Sequence, residues 1–255
     1  MKYELALSTP IMNAAGCLGY ASDLRSLIDY SQFGVFITNP VSWSKRSPAN
    51  GPRVQRYPGG FLLHTGYPNP GFKTVIRKYT KKWAQSPLPV IVHILVEDVF
   101  RTAHMVEQLE SLDGVVGIEI GLPPDVEPHR ASELVLAALG ELPVLVRVPW
   151  EGAEELIQVL QELDLTTFSL SPPRGILPGE KDDLIQGRIY GRAMLPSALS
   201  TVKRIAALGA QIIGAGGVYT KGDADAMLAV GAKAVQIDTA LWGSTWWQKS
   251  AEGRT

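Results

Sequence analysis

The sequence predicts a single (β/α)8 barrel of the α/β class, and three observations support this prediction. Eight short apolar runs alternate with amphipathic segments, which is the order of a parallel sheet with crossover helices. Most of these runs are apolar on both faces, as are strands that helices cover on both sides. The length of 255 residues suits one barrel domain spanning residues 1–255, since such barrels have roughly 250 residues. An open doubly wound sheet is the alternative.

Each element follows from local periodicity and turn residues. The predicted strands lie within residues 10–16, 34–39, 89–95, 115–120, 143–148, 166–171, 210–217 and 232–240. Apolar residues at spacings of three and four predict helices over residues 22–31, 71–85, 98–111, 130–140, 152–163, 196–208 and 222–231. Ser22, Asp98 and Asp223 are candidate helix caps. Residues 40–70 and 172–192 are rich in turn residues and follow strands, which predicts loop excursions over the top face of the barrel.

Composition excludes several classes of protein. Lys plus Arg total 24 and Asp plus Glu total 25, which is not the basic balance of a nucleic-acid-binding protein. No apolar run approaches the roughly 18 residues of a membrane-spanning helix, and the first ten residues lack the apolar region of a secretory signal. The lone Cys17 excludes an internal disulfide framework. We expect a cytoplasmic protein that acts on a small molecule, without nucleic-acid or membrane partners. Assembly into a homo-oligomer stays open.

Glycines at the predicted strand seven are the strongest local signal. Gly214, Gly216 and Gly217 lie in IIGAGGV, about twenty residues before AVQIDTA. Glycines at a strand end let backbone N–H groups approach a phosphate closely, and barrel phosphate sites are frequently built after strands seven and eight. A tight turn that requires small residues explains the glycines equally well.

Small residues also follow the predicted first strand. Ala14, Ala15 and Gly16 end the run PIMNAAG. Their size would let a flat ring lie against the backbone, and a tight turn into the next helix is the alternative.

Several motifs in one order resemble the dihydroorotate dehydrogenase family. They are PIMNAAG, GVFIT, SPANGPRV, GGFLLHTGYPNPG, GRIYGRAMLPSAL, IIGAGGV and AVQIDTA, and the resemblance covers residues 4–242. It implies an FMN-binding (β/α)8 barrel with an N-terminal hairpin at residues 2–10. Members of this family oxidise dihydroorotate to orotate or act on related cyclic C–C bonds.

The resemblance also implies a set of cofactor contacts. Gly216 and Gly217 would take the FMN phosphate, helped by the backbone at Asp238 and Thr239. Gly191 would contribute a backbone contact to the cofactor. The segment Ala14, Ala15 and Gly16 would pass along the flavin ring, and Asn69 matches the loop on the substrate side.

This sequence departs from the family pattern at reactive positions. Asn39 replaces the Lys that ends strand two, and Leu122 occupies the position of the Cys or Ser base but cannot accept a proton. Arg147 replaces the Lys of strand five. This change keeps the positive charge but places it on a planar guanidinium group. His64 replaces a substrate-binding Asn, and Asp238 replaces a Gly beside the expected phosphate.

Other residues must replace the catalytic base and the lysines that this sequence lacks. The candidates, which the predicted barrel brings to its top face, are Asn39, His64, His93, Glu119 and Arg147. Arg147 would stabilise the reduced flavin or an anionic substrate, and His64, His93 or Glu119 would handle the proton. A structural Glu119–Arg147 ion pair is the alternative. No metal motif is evident in the spacing.

The sequence therefore predicts a divergent FMN-dependent oxidoreductase acting on CH–CH bonds. It would transfer a hydride between flavin and a small anionic or cyclic substrate other than dihydroorotate. One alternative is a lyase or isomerase that uses the phosphate site for a phosphorylated substrate. Another is a non-catalytic subunit or paralogue.

Overall fold

The computed structural model describes residues 7–163, 167–179, 184–243 and 247, and this part of the chain forms twelve strands and six α-helices. The strands are β1 (Ile11–Asn13), β2 (Phe36–Ile37), β3 (Val54–Tyr57), β4 (Gly60–Leu63), β5 (Val90–Leu95), β6 (Val115–Gly121), β7 (Val144–Val148), β8 (Thr167–Leu170), β9 (Arg174–Pro178), β10 (Leu184–Tyr190), β11 (Gln211–Ala215) and β12 (Ala234–Ile237). The helices are α1 (Phe72–Ala84), α2 (Val99–Glu110), α3 (Pro128–Leu136), α4 (Ala153–Gln161), α5 (Leu195–Ala207) and α6 (Lys221–Ala229).

Eight parallel strands form the predicted barrel. Their order is β1-β12-β11-β8-β7-β6-β5-β2. A parallel bridge between Met12 and Val35 joins the two end strands of this sheet. All eight predicted strands are present, and the (β/α)8 fold class is confirmed.

The barrel strands are buried on both faces. Every residue of β5 is buried, because helices cover the outside and side chains fill the inside. Ile91 belongs to the apolar cluster inside the barrel, with Met12, Ile37 and Leu145. Side chains alternate along a strand, so His93 also points into the barrel, one layer nearer the carboxyl ends of the strands.

Two hairpins form a second sheet over the carboxyl ends of the barrel strands. The sheet is antiparallel with the order β3-β4-β10-β9. Its strands lie inside the two predicted loop excursions, residues 40–70 and 172–192, but the sequence did not predict the strands themselves. The burial of β9 alternates between exposed and partly buried. Such strands carry no continuous apolar run, so the signal that located the barrel strands is missing.

The helix predicted over residues 22–31 is wrong. Turns occupy this segment, followed by a short 3-10 helix at Tyr30–Gln32 whose N-cap is Asp29. Ser22 therefore caps no helix. Leu24 and Leu27 produced the helical spacing, but both side chains are more than half exposed. The Asp23 carboxylate accepts a hydrogen bond from the Arg25 N–H, a local turn that competes with a helix.

The two remaining cap predictions have different outcomes. Asp98 caps α2 as expected and accepts a hydrogen bond from the Arg101 N–H at 2.9 Å. Asp223 is not the N-cap of α6. Thr220 holds that position, and Asp223 is the third helical residue of a reciprocal capping box.

The hairpin expected at residues 2–10 lies mostly outside the described residues. Residues 7–10 form no strand. None of the helices described here has both the length and the apolar character required to cross a membrane.

Substitution of Phe168 tests the packing between the barrel strands and the helices. Its side chain is fully buried, whereas Phe100 is 80% exposed. We expect Phe168→Ala to lower the free energy of unfolding by about 3–5 kcal/mol through lost burial and a cavity. Phe100→Ala is the matched control and should change it by less than about 0.5 kcal/mol. Urea unfolding of both variants measures the difference, and equal losses would contradict the described core.

Candidate active site

A narrow crevice opens among the carboxyl ends of β7, β8, β11 and β12. Its interior volume is about 30 Å³. We call it the crevice, and its lining includes Arg147, Tyr190, Gly191, Gly216, Gly217 and Gln236. The predicted cofactor residues Gly191, Gly216, Gly217 and Thr239 all line this cavity.

The glycines of the crevice are required by their conformation and surroundings. Gly216 and Gly217 have φ angles of +103° and +73°, a region that favours glycine. A Cβ atom at Gly217 would lie 2.4 Å from the Leu195 backbone nitrogen, and one at Gly191 would lie 2.4 Å from the Gly59 carbonyl oxygen. A tight turn that requires small residues therefore explains Gly217. The backbone of this turn also lines the crevice.

The other predicted cofactor residues lie elsewhere. A Cβ atom at Gly214 would meet Met227 and Ala232 at 3.1 Å, so Gly214 allows α6 to pack closely and does not line the crevice. Ala14 and Ala15 are buried after β1. With Gly16 they are absent from the crevice wall.

Cys17 connects the segment after β1 to the crevice. Its thiol donates a hydrogen bond to the Asp238 carboxylate at 2.9 Å, and Asp238 lines the crevice. Burial raises the pKa of Asp238, although the Cys17 hydrogen bond and the Arg147 charge oppose this effect. Burial and the neighbouring Asp238 also raise the pKa of the Cys17 thiol. The family resemblance placed the Asp238 carboxylate beside a phosphate. In the structure this carboxylate accepts a hydrogen bond from Cys17.

Glu119 is the centre of a buried polar cluster beneath the crevice. Its Oε1 atom accepts hydrogen bonds from Ser169 Oγ at 2.9 Å and from Gln236 Nε2 at 2.7 Å. Its Oε2 atom lies 2.5 Å from His93 Nδ1 and 4.0 Å from Arg147 Nη1. Burial would raise the pKa of Glu119, but His93, Arg147 and Gln236 lower it to about 2.

An ionised Glu119 fixes the protonation of its neighbours. A carboxylate only accepts hydrogen bonds, so His93 Nδ1 carries the proton. Burial lowers the pKa of His93 against the opposing effect of Glu119, so His93 is a neutral donor. Burial would lower the pKa of Arg147, but Glu119 and other neighbours raise it. The predicted Glu119–Arg147 pair therefore exists, at the long distance of 4.0 Å.

Two buried polar atoms in the crevice have no partner in the described part of the chain. They are Arg147 Nε, a donor, and Gln236 Oε1, an acceptor. Both residues are at most 4% exposed and both line the crevice. Buried polar groups that lack a hydrogen bond cost about 1–3 kcal/mol each. A ligand edge that offers both an acceptor and a donor would satisfy them.

A second, wider cavity lies between the barrel and the small sheet. We call it the groove. Its volume is about 290 Å³, and its lining includes Arg46, His64, Tyr67, Glu97, Leu122 and Arg188. His64, a candidate proton-handling residue, lines this cavity. Leu122, which the family resemblance places at the position of the catalytic base, is 7% exposed in the wall of the groove.

Arg188 is a cation of the groove that has no ion pair in the described part of the chain. Its guanidinium stacks on the Tyr67 ring at 3.8 Å and donates hydrogen bonds to Tyr190 Oη and Thr65 Oγ1. It makes no salt bridge within the described residues, whereas Arg46 pairs with Glu97 at 3.0 Å. Sequence reasoning missed Arg188, Tyr67 and Tyr190. Arg188 and Tyr190 lie in the motif GRIYG, which was quoted only for its resemblance to the family.

Asn39 and Asn69 hold loops in place. Asn39 Oδ1 accepts a hydrogen bond from the Gly19 N–H at 3.1 Å, and Asn39 lines neither cavity. Asn69 is buried and donates to the Tyr67 carbonyl oxygen at 3.0 Å. That bond supports Tyr67 in a left-handed backbone conformation with φ of 51°, which is uncommon for a residue other than glycine.

Comparison with known proteins agrees with this architecture. The family model described as dihydroorotate dehydrogenase matches residues 3–133. This chain belongs to the dihydroorotate dehydrogenase family. Members of the family are FMN flavoproteins and oxidoreductases, so the predicted family and cofactor class are confirmed.

The similar proteins are named as catalytic subunits of dihydroorotate dehydrogenase B (NAD(+)). The protein from Geobacter metallireducens is 28% identical over 262 residues, covering 92% of this chain and 84% of its own length. The protein from Pelobacter propionicus is 27% identical over 258 residues with the same coverage. The family resemblance therefore extends over nearly all of the barrel.

The buried cluster predicts a pH-dependent stability. The pKa of His93 in the folded protein lies below 6.5, and that of Glu119 lies near 2 rather than 4.5. The unfolded chain therefore binds more protons at acid pH. We expect the stability from both groups to be complete above pH 6.5 and to fall as the pH decreases towards 2. Urea unfolding measured across this range tests the sign.

Glu119→Gln supplies the matching variant. We expect it to lower the free energy of unfolding by about 3–5 kcal/mol at neutral pH, because Arg147 loses its counter-charge. Its stability should also depend less on pH than that of the unmodified protein. Glu107→Gln is the control, since the Glu107 side chain is 80% exposed. Parallel pH profiles for all three proteins would contradict the assigned cluster.

Proposed function

We propose that this protein is a divergent FMN-dependent oxidoreductase acting on CH–CH bonds. It transfers a hydride between flavin and a small anionic or cyclic substrate other than dihydroorotate. One observation carries the proposal. Arg147 Nε and Gln236 Oε1, which have no hydrogen-bond partner among the described residues, belong to residues that line the same crevice as Gly216 and Gly217. The glycines suit a phosphate, and the unpaired atoms suit the polar edge of a flavin ring.

The residues of the crevice have distinct roles in this proposal. Gly216, Gly217 and Thr239 would hold the phosphate, and Gly191 would give a backbone contact. FMN, when bound, supplies the hydride chemistry. Arg147 carries a permanent positive charge, which would stabilise the negative charge of the reduced ring.

Binding requires the crevice to widen. Its 30 Å³ is far below the roughly 300 Å³ or more of typical ligand pockets. The side chains of Trp150 and Tyr190 line the crevice, and the Trp150 ring lies 3.4 Å from the Cβ position at Gly216. We therefore expect movement of these rings when FMN binds.

The groove supports a substrate with a negative charge. Arg188 faces it without a carboxylate partner in the described chain, so an anionic group would compensate its charge. Leu122 cannot accept a proton, which argues against dihydroorotate. Among the predicted candidates, His64 lines the groove and is the proposed proton-handling residue. His93 and Glu119 lie beneath both cavities and would position Arg147 and Gln236. Asn39 would hold a loop in place through its hydrogen bond with the Gly19 N–H.

Cofactor binding tests the proposal directly. We expect the purified protein, supplied with FMN, to show flavin absorption at one equivalent per chain. FMN should bind at least ~10-fold more tightly than riboflavin, because the phosphate gains charge-assisted hydrogen bonds. Titration followed by flavin fluorescence measures both dissociation constants.

Gly216→Ala should reduce the preference for FMN over riboflavin, since it adds a side chain at the crevice. Gly209→Ala is the matched control: its φ of +81° imposes similar backbone strain, but a Cβ atom there meets nothing within 4 Å. A colourless protein that binds no flavin in excess FMN would refute the proposal. Binding of other phosphorylated ligands by that protein would favour a lyase or isomerase.

Restoring two family residues should not restore the family reaction. We expect the double variant Asn39→Lys with Leu122→Cys to form no orotate from dihydroorotate, because the groove also contains Arg188 and His64. Orotate absorbance during incubation with FMN and an electron acceptor measures the activity. Turnover of dihydroorotate by this variant would show that the groove has kept the family specificity.

A further inference from the structure

The orientation of the Gln236 amide is determined by Glu119. A glutamine side chain has an NH2 group that donates and a carbonyl oxygen that accepts. An ionised carboxylate only accepts, so the group of Gln236 that faces Glu119 must be the NH2 group. The Nε2–Oε1 distance of 2.7 Å agrees with this assignment. The carbonyl oxygen of Gln236 is consequently the atom that has no hydrogen-bond partner among the described residues.

Arg147 provides a donor on a second residue that lines the crevice. Its Nη1 atom lies 4.0 Å from Glu119 Oε2, so one carboxylate adjoins both Arg147 and Gln236. Arg147 Nε is buried and has no hydrogen-bond partner in the described part of the chain. Both side chains line the crevice, which therefore offers one donor and one acceptor to a ligand.

The opposite amide orientation would give the crevice a different specificity. An NH2 group beside Arg147 would provide two donors, which suit a carboxylate or a phosphate. The carbonyl oxygen instead requires an N–H group on the ligand. A ring edge with N–H beside a carbonyl oxygen, as in an imide, satisfies both atoms.

We infer that Glu119 is a positioning residue that directs the Gln236 carbonyl oxygen into the crevice, where Gln236 and Arg147 together select an imide edge. This inference rests on the proposed function and specifies it further. Gln236 accepts from N3–H of the flavin, and Arg147 Nε donates to an adjoining carbonyl oxygen. Gln236 then discriminates between flavins by a single N–H group.

A flavin methylated at N3 tests this assignment without any assay of activity. We expect N3-methyl-FMN to bind at least ~10-fold more weakly than FMN, because the methyl group removes the donor and leaves Gln236 Oε1 unpaired. The ratio of the two dissociation constants, from fluorescence titration, is the measured quantity. An FMN analogue with chlorine at C8, on the opposite end of the ring system, should bind within ~3-fold of FMN.

Three variants separate positioning from general stability. Gln236→Met removes the acceptor, and Glu119→Gln frees the Gln236 amide to rotate, so both should reduce the ratio by at least ~3-fold. Ser169→Ala is the matched control. Ser169 donates to the same Oε1 atom of Glu119 at 2.9 Å, but its removal leaves the Gln236 contact in place, so the ratio should persist.

Each outcome decides the inference. Equal affinities of the unmodified protein for FMN and N3-methyl-FMN would overturn it and leave the proposed flavin function intact. Binding of neither flavin would overturn the proposed function and this inference together. Should Glu119→Gln fail to fold, Gln236→Met and Ser169→Ala decide: an unchanged ratio in Gln236→Met, or an equal reduction in both, overturns the inference.

Discussion

The buried carboxylate of Glu119 is the interaction on which the arrangement of the barrel centre depends. It contacts His93 on β5, Arg147 on β7, Ser169 on β8 and Gln236 on β12. A buried charge is stable only when it is paired and fully hydrogen-bonded. The four neighbours are therefore constrained in position and, for His93 and Gln236, in the direction of their hydrogen bonds.

The two cavities above this cluster share one strand as a wall. Tyr190 of β10 lines the crevice, and Arg188, two residues earlier, lines the groove. The Arg188 Nε–H donates to Tyr190 Oη at 3.2 Å, which couples the two walls. Under the proposed function this strand separates the flavin from the anionic part of the substrate.

The protein has the architecture of its family, and under the proposed function its reactive side chains differ from the family pattern. The glycines at the crevice remain because backbone conformation and close packing require them. Leu122 and Asn39, in contrast, occupy positions where the family resemblance predicts chemically active residues. A fold does not determine which reaction it supports, and under the proposed function the same barrel acts on a different substrate.

The sequence by itself predicted the parts of the structure that depend on local pattern. Continuous apolar runs located all eight barrel strands, because these strands are covered on both faces, and Asp98 was found from its place before a periodic segment. The same reasoning failed at residues 22–31, where the spacing of Leu24 and Leu27 resembled a helix although neither side chain is buried. It also missed β3, β4, β9 and β10. Exposed and partly buried residues alternate along β3 and β9, so these two strands contain no continuous apolar run.

The residues of the candidate site also fall into those that the sequence indicated and those that only the structure identified. Glycine motifs and family resemblance indicated Gly191, Gly216 and Gly217, whose role depends on the local backbone. Only the tertiary structure separated Arg147 and His64, which face cavities, from His93 and Glu119, which lie beneath them. The stacking of Arg188 on the Tyr67 ring was also visible only in the tertiary structure. The physical reason is that strand pairing and register, set by residues far apart in the chain, decide which side chains share a cavity, whereas periodicity reports only which face of an element is covered.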